Sequence, residues 1–171
     1  MYNRNMVDRS SALWQYLSTH QQELIEDGER LFEEALTQTQ PLHDYSYLIF
    51  PYAKAYEGFL KKLFFDLGFI DEQTYRGERF RIGRALNPSL EKALRYESIY
   101  DKLVGYCGGR DLADELWHVW KKGRNLLFHY FPHNVNKLTF AKAQDIRDEM
   151  LSAMSQALSS CTVRKQAGRI R

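Results

Sequence analysis

The stretch LIFPYAKAYEGFLKKLFFDL, residues 48–67, decides the fold. Its apolar residues recur three or four positions apart, which places them on one face of an α-helix. They are Leu48, Ile49, Tyr52, Tyr56, Phe59, Leu60, Leu63, Phe64 and Leu67. Pro51 near the start and Gly68 after the end suit the first turn and the C-terminal cap of a helix. The sequence therefore predicts a core helix here.

Apolar residues have helical spacing on both sides of this run as well. The segments are 10–36, 90–104, 111–127 and 139–158, and Thr139 is a suitable N-cap for the last of them. No convincing β-alternation appears. The sequence predicts an all-α bundle of about five helices.

The breaks between these segments suggest how the chain is organised. Pro41-Leu42 separates an N-terminal helical extension, residues 1–41, from a helical domain at 42–160. Residues 161–171 carry four basic residues and no acid, which predicts a basic tail.

Composition excludes several classes of protein. Of the 171 residues, 44% are hydrophobic, which excludes dominant disorder, and a formal net charge of +2 excludes a polybasic nucleic-acid coat. Cys107 and Cys161 lie outside any C-x-x-C spacing, so we expect reduced thiols and no cysteine zinc site. No signal peptide or membrane-spanning run is evident, and we expect a cytoplasmic protein with no membrane contact.

Charge is even along the chain except in one window. No acidic residue occurs between Glu115 and Asp145, and five basic residues do. They are Lys121, Lys122, Arg124, Lys137 and Lys142. Without a nearby carboxylate to cancel the field, this window can attract an anion. The alternative is an ordinary solvated basic face.

The same window holds Arg124 and His129, five positions apart. On an ideal helix they point about 140° away from each other and lie ~7.5 Å apart along the axis. Pro132 requires the helix to stop near Phe131, so we expect His129 in the last turn, where the helix dipole favours imidazolium. Fraying there would let the ring turn toward Arg124. An arginine that grips phosphate beside a proton-exchanging histidine is a minimal phosphodiester-cleaving pair. A chance Arg-x4-His match is the alternative.

Two motifs carry a family resemblance, which covers roughly residues 42–158. Arg124, Asn125 and His129 resemble the Arg-x4-6-His signature of the HEPN superfamily (higher eukaryotes and prokaryotes nucleotide-binding), and the helix from Thr139 resembles its closing helix. The stretch YEGFLKKL, residues 56–63, resembles the core helix of ribonuclease LS-type toxins, which pair a glutamate there with the Arg and His.

The resemblance implies a HEPN-like helical bundle that cleaves RNA without metal or cofactor. It implies a homodimer with a composite active site, acting as a toxin or anti-phage effector that an antitoxin or inhibitor protein restrains. His129 would be general base or acid, and Arg124 would stabilise the phosphoryl charge, which gives 2′,3′-cyclic phosphate ends. Asn125 would orient a motif side chain, or be ordinary helix polarity. Glu57 would orient His129 or Arg124, or be a solvated boundary residue.

Other residues are candidates for contacts with RNA beyond the scissile phosphate. The basic ones are Arg76, Arg79, Arg81, Arg84, Lys121 and Lys122. Tyr130 is a candidate for stacking on a base, although aromatics at helical spacing, such as Trp117 and Trp120, are more often core. His118 and His133 have no further ligands at metal spacing, so we expect no metal site.

Three functions remain open at this point. The first is a metal-independent endoribonuclease. The second is a non-catalytic HEPN module that binds nucleotide, RNA or a protein partner through the same cleft. The third is a helical interaction protein with an accidental Arg-x4-His match. Salt-sensitive RNA binding without cleavage would indicate the second, and no RNA binding at low ionic strength would leave the third.

Overall fold

The chain folds as a bundle of helices. The computed structural model describes residues 7–129, 132 and 137–160, and within these ranges it contains no β-strand. The helices are α1 (Ala12–Tyr16), α2 (Thr19–Thr37), α3 (Phe50–Asp66), α4 (Glu72–Arg76), α5 (Ile82–Ala85), α6 (Ile99–Cys107), α7 (Asp111–Trp120) and α8 (Phe140–Ser159). 3-10 turns lie at Ser46–Ile49 and Lys92–Glu97, and a π-helical turn at Lys121–Asn125. The predicted all-α class is confirmed.

Helix α3 is the predicted core helix. Its apolar stripe is almost completely buried, and Tyr56, Phe59 and Leu63 have no exposed surface. The hydroxyl of Tyr56 donates to the carbonyl oxygen of Leu116, at 3.0 Å, which fixes α3 against α7. Burial of an aromatic ring together with a satisfied hydroxyl makes this contact strongly stabilising.

Helix α2 packs along α3 at a very short distance. A Cβ on Gly28 would overlap the ring of Tyr52, so only glycine lets the two helices approach this closely. Ile25 and Phe32 of α2 belong to the same core as α3, and so does Trp14 of α1. The described part of the segment at 1–41 therefore contributes directly to the main core.

Helix α8 closes the bundle. The hydroxyl of Thr139 accepts from the backbone N–H of Lys142, at 3.2 Å, as expected of the predicted N-cap. Small residues on its inner face, Ala143, Ala153 and Ala157, are fully buried, which lets α8 lie close to its neighbours.

Two predicted helix boundaries differ from the structure. The helix expected from about residue 90 begins only at Ile99, because the Ser98 hydroxyl caps it by accepting from Asp101 N–H at 3.0 Å. The chain before it forms the 3-10 turn. The helix expected over 111–127 changes at Lys121 into the π-helical turn.

Two further findings concern the cysteines and the membrane. Cys107 is disulfide-bonded, so the expectation of reduced thiols is wrong for this residue. In the part of the chain that the structure describes, no helix combines the length and the apolar character needed to cross a bilayer.

Candidate functional site

The π-helical turn determines how the basic window is presented. The backbone N–H of Leu126 donates to the carbonyl oxygen of Lys121, at 2.9 Å, which closes the wider turn. Gly123 is buried in this turn, and a Cβ there would overlap Cε of Met150 on α8. The turn therefore lies close to the buried Met150 side chain, which would have to move for any larger residue at position 123. Single π-turns inside helices are frequent at functional sites.

The helix ends earlier than the position of Pro132 suggested. Its last residue is Asn125, and His129 lies four positions further along, exposed to solvent. The expectation that His129 occupies the last helical turn is therefore wrong, and the helix-dipole argument does not apply to it. The turn that contains Gly123 packs against α8 before the chain reaches the proline. Tyr130 and His133 lie outside the described residues.

Arg124 leaves the turn toward α3. Its Nε lies 3.6 Å from Oε2 of Glu57, and both side chains are 41% exposed. The guanidinium also lies 5.7 Å from the ring of Trp120. Contact through Nε leaves the two terminal nitrogens without a hydrogen-bond partner among the described residues. These four N–H groups are the fork that binds phosphate in a bidentate manner.

The segment after Arg124 runs back along the exposed face of α3. Phe128 packs edge-to-face on Phe50, with ring centroids 5.8 Å apart. Phe50 and Glu57 are two helical turns apart, about 10 Å, so Arg124 and Phe128 mark the two ends of this contact. Lys54 lies between them, with Nζ 5.8 Å from the Phe50 ring. The sequence signal for Phe50 and Lys54 was their helical spacing, seven and three residues before Glu57.

Lys122 leaves the turn in a different direction, toward α8. Its Nζ donates to Oε1 of Glu149 at 2.5 Å. Both residues line a cavity of about 650 Å³ between α7 and α8, together with His118 and Glu115. Burial raises the pKa of the Glu115 carboxyl. Lys122 is therefore an ion-pair partner of α8, and its contacts are separate from those of Arg124.

The acid-free window is thus acid-free only along the chain. In space, α3 brings Glu57 to Arg124 and α8 brings Glu149 to Lys122. The expectation that no carboxylate offsets the field of these cations is wrong, because folding supplies carboxylates from distant helices. Lys121 is exposed, and Asn125, the last residue of the turn, is half-buried.

The four predicted arginines of the α4–α5 region do not all line the same surface. Arg76 forms an ion pair with Glu72 on α4, with Nε and Oε1 2.9 Å apart. The other three, Arg79, Arg81 and Arg84, line a second cavity. This region packs beside the Arg124 site, because a Cβ on Gly83 of α5 would lie only 2.8 Å from Nε1 of Trp120.

Within the ranges that the structure describes, no group of three or more His, Cys, Asp or Glu residues is arranged to hold a metal ion. The candidate site centres on the Glu57–Arg124 pair and the Trp120 ring, and the segment with Phe128 and exposed His129 follows Arg124 in the chain. Comparisons with protein-family models, curated proteins and solved structures found no match to this chain.

Proposed function

We propose that this protein is a metal-independent endoribonuclease of the HEPN type, with its active site at Arg124 and His129. The observation that carries the proposal is the Arg124 guanidinium. Its Nε faces Glu57 at 3.6 Å while its terminal nitrogens point to no protein acceptor among the described residues. An arginine oriented in this way is ready to receive a phosphate.

The chemistry follows from these groups and from the RNA itself. A histidine acting as base removes the proton of the 2′-hydroxyl, whose oxygen attacks the phosphorus. The bond to the 5′-oxygen breaks, and that oxygen receives a proton from a general acid. Arg124 stabilises the charge on the phosphoryl oxygens. The products are a 2′,3′-cyclic phosphate and a 5′-hydroxyl, and DNA is not a substrate because it lacks the 2′-hydroxyl.

A homodimer with a composite site is part of this proposal, because each protomer then supplies one His129 imidazole, one as base and the other as acid. Support comes from two exposed apolar residues whose rings pack on each other on the α3 side: Phe50 is 54% exposed and Phe128 37%. Such clusters mark interaction surfaces. Phe50→Ser is expected to give a monomer by sedimentation and to abolish cleavage. Tyr96→Ser, which removes an aromatic exposed elsewhere, is expected to leave the dimer intact. A wild-type monomer at micromolar concentration contradicts the composite site.

The test of the activity is an assay on single-stranded RNA in EDTA. Wild type is expected to cleave it to cyclic phosphate ends, and Arg124→Ala and His129→Ala are expected to lose this. A matched substrate with one 2′-deoxy nucleotide is expected to resist cleavage at that position. Cleavage that persists in either variant contradicts the proposed site.

Binding of nucleotide, RNA or a protein partner without cleavage is the second candidate. The exposure of His129 favours it, because an acid–base catalyst works best where water is excluded. The same assay separates the two: salt-sensitive RNA binding that depends on Arg124, with no product formed by a folded dimer, supports the binding module.

We extend the proposal to a toxin or anti-phage effector restrained by an inhibitor protein. Induced expression of wild type is expected to stop growth, and His129→Ala is expected to relieve it. RNA as substrate implies a cytoplasmic location. The disulfide of Cys107 is instead typical of proteins in an oxidising compartment, because cytosolic reductants keep most thiols reduced.

A further inference from the structure

A second cavity lies between the α4–α5 region and α6, and none of its lining residues belongs to the Glu57–Arg124 site. Its volume is about 390 Å³, which is within the range of small-molecule binding sites. Ala85 and Ile99, both nearly inaccessible to solvent, give it an apolar floor. A cavity of this size can hold a ligand with one ring system.

The rim of the cavity is predominantly basic. Four cations line it, namely Arg79, Arg81, Arg84 and Lys102, against two carboxylates, those of Asp71 and Glu97. Glu97 is already paired with Arg84, with Oε2 and NH2 2.7 Å apart. Asp71 caps α4 by accepting from the N–H of Thr74 at 2.7 Å. The remaining charge favours an anionic ligand.

The cations keep unused hydrogen-bond donors. Arg79 has no hydrogen bond or ion pair among the described residues. Arg81 donates from Nη1 to the carbonyl oxygen of Glu78 at 2.6 Å, and Lys102 donates from Nζ to the carbonyl oxygen of Phe69 at 2.9 Å. Each keeps further N–H groups. Cationic N–H donors that line one cavity match the oxygens of a phosphate.

Two aromatic side chains line the same cavity. Phe80 is half-buried, and Tyr96 is 73% exposed, so its ring is accessible to a ligand. Exposed aromatic rings beside a basic rim are the stacking surface that proteins use for nucleobases. The cavity thus has aromatic side chains that can stack on a base and cations that can bind a phosphate.

We propose that this cavity binds a nucleotide, with the phosphate at Arg79, Arg81 and Lys102 and the base against Tyr96 or Phe80. The nucleotide is either free or one unit of an RNA strand. The inference does not depend on cleavage at Arg124, so the two proposals can fail separately.

The test is calorimetric titration of the full chain with adenosine 5′-monophosphate and with adenosine. The phosphate is expected to improve binding at least fivefold. Arg79→Gln is expected to remove this advantage, and because Arg79 has no partner among the described residues the variant is expected to fold normally. Arg30→Gln, the same charge change on an exposed arginine of α2, is the matched control and is expected to bind as wild type does.

Titration with a 2′-O-methyl tetraribonucleotide, which cannot be cleaved through its 2′-oxygen, distinguishes a free nucleotide from one unit of an RNA strand. Binding no tighter than that of the mononucleotide, and dependent on Arg79, indicates a free nucleotide. Binding at least tenfold tighter, and dependent on Arg79, indicates one unit of an RNA strand. The proposal is overturned if neither ligand binds at millimolar concentration, or if Arg30→Gln weakens binding as much as Arg79→Gln.

Discussion

The two sides of the π-helical turn carry the same kinds of residue in different arrangements. Each side has a cation, a carboxylate from a neighbouring helix and a histidine. One side has Arg124 and Glu57 of α3, with His129 in the exposed segment that follows Arg124 in the chain, and the α8 side has Lys122, Glu149 and His118. The α8 pair is in direct hydrogen-bond contact at 2.5 Å, whereas the α3 pair is 3.6 Å apart.

This difference separates a structural cation from a cation that can bind substrate. Lys122 has one charged nitrogen, and Glu149 already accepts from it. Arg124 faces Glu57 through Nε and keeps its terminal nitrogens for another anion. We infer that the reacting phosphate contacts Arg124, and that Lys122 is occupied by its ion pair with α8.

The histidines are expected to show the largest difference between the two sides. His129→Ala should reduce the single-turnover rate of RNA cleavage by about 100-fold or more, the usual contribution of a general acid or base. His118→Ala, which removes an exposed imidazole on the α8 side, should leave the rate within twofold. Equal losses in the two variants would mean that the histidine of the motif has no special role.

The close approach of the turn to α8 predicts a loss of stability for Gly123→Ala. The added Cβ would overlap Met150, which is fully buried, and overpacking of this kind costs about 1–3 kcal/mol. Gly105→Ala is the matched control, because a Cβ there meets nothing within 4 Å. It should stabilise α6 by about 0.5–1 kcal/mol. Urea unfolding of both variants measures the contrast, and a stable Gly123→Ala would show that the turn does not need glycine.

Glu57→Gln tests whether the carboxylate orients Arg124. Loss of the charge beside Nε should let the guanidinium rotate, and cleavage should fall about tenfold, which is about 1.4 kcal/mol of transition-state stabilisation. The loss should appear in kcat more than in KM, and folding should be unaffected since both side chains are 41% exposed. An unchanged kcat would assign Glu57 to the solvated surface.

The smallest effect is expected for the ion pair on the α8 side. Lys122 and Glu149 are 40% and 41% exposed, and pairs of this kind contribute less than about 1 kcal/mol. Glu149→Gln should therefore lower the free energy of unfolding only slightly, and less so in high salt. A cost above 2 kcal/mol would show that this pair anchors the turn.

The sequence predicted the features that arise from local periodicity. The core helix around Tyr56 and Leu63, the N-cap at Thr139 and the all-α class all follow from helical spacing and cap chemistry. The end of the helix at Asn125 did not follow, because Pro132 is the visible stop signal and the helix ends before it. The packing of the turn at Gly123 against Met150, 27 positions away, was not visible in the sequence either.

The same limit applies to the site. The sequence identified Arg124 and Glu57 as candidates, and the structure brings them together although they are 67 positions apart in the chain. It also suggested a window free of carboxylates, which tertiary packing contradicts at Lys122. The order of charges in the sequence does not show which helix supplies the carboxylate partner of each cation. That partner determines which cation keeps donors for a substrate phosphate.

The most direct test of this account compares Arg124→Gln with Lys122→Gln in one single-turnover RNA cleavage assay in EDTA. Both variants lose one positive charge from the same turn, so any difference between their rates is due to the position of the residue and not to the change in net charge. The account predicts a loss of about 100-fold or more for Arg124→Gln, the cost of one donor to the transition state, and a change within twofold for Lys122→Gln. Equal losses, or a larger loss for Lys122→Gln, would contradict it.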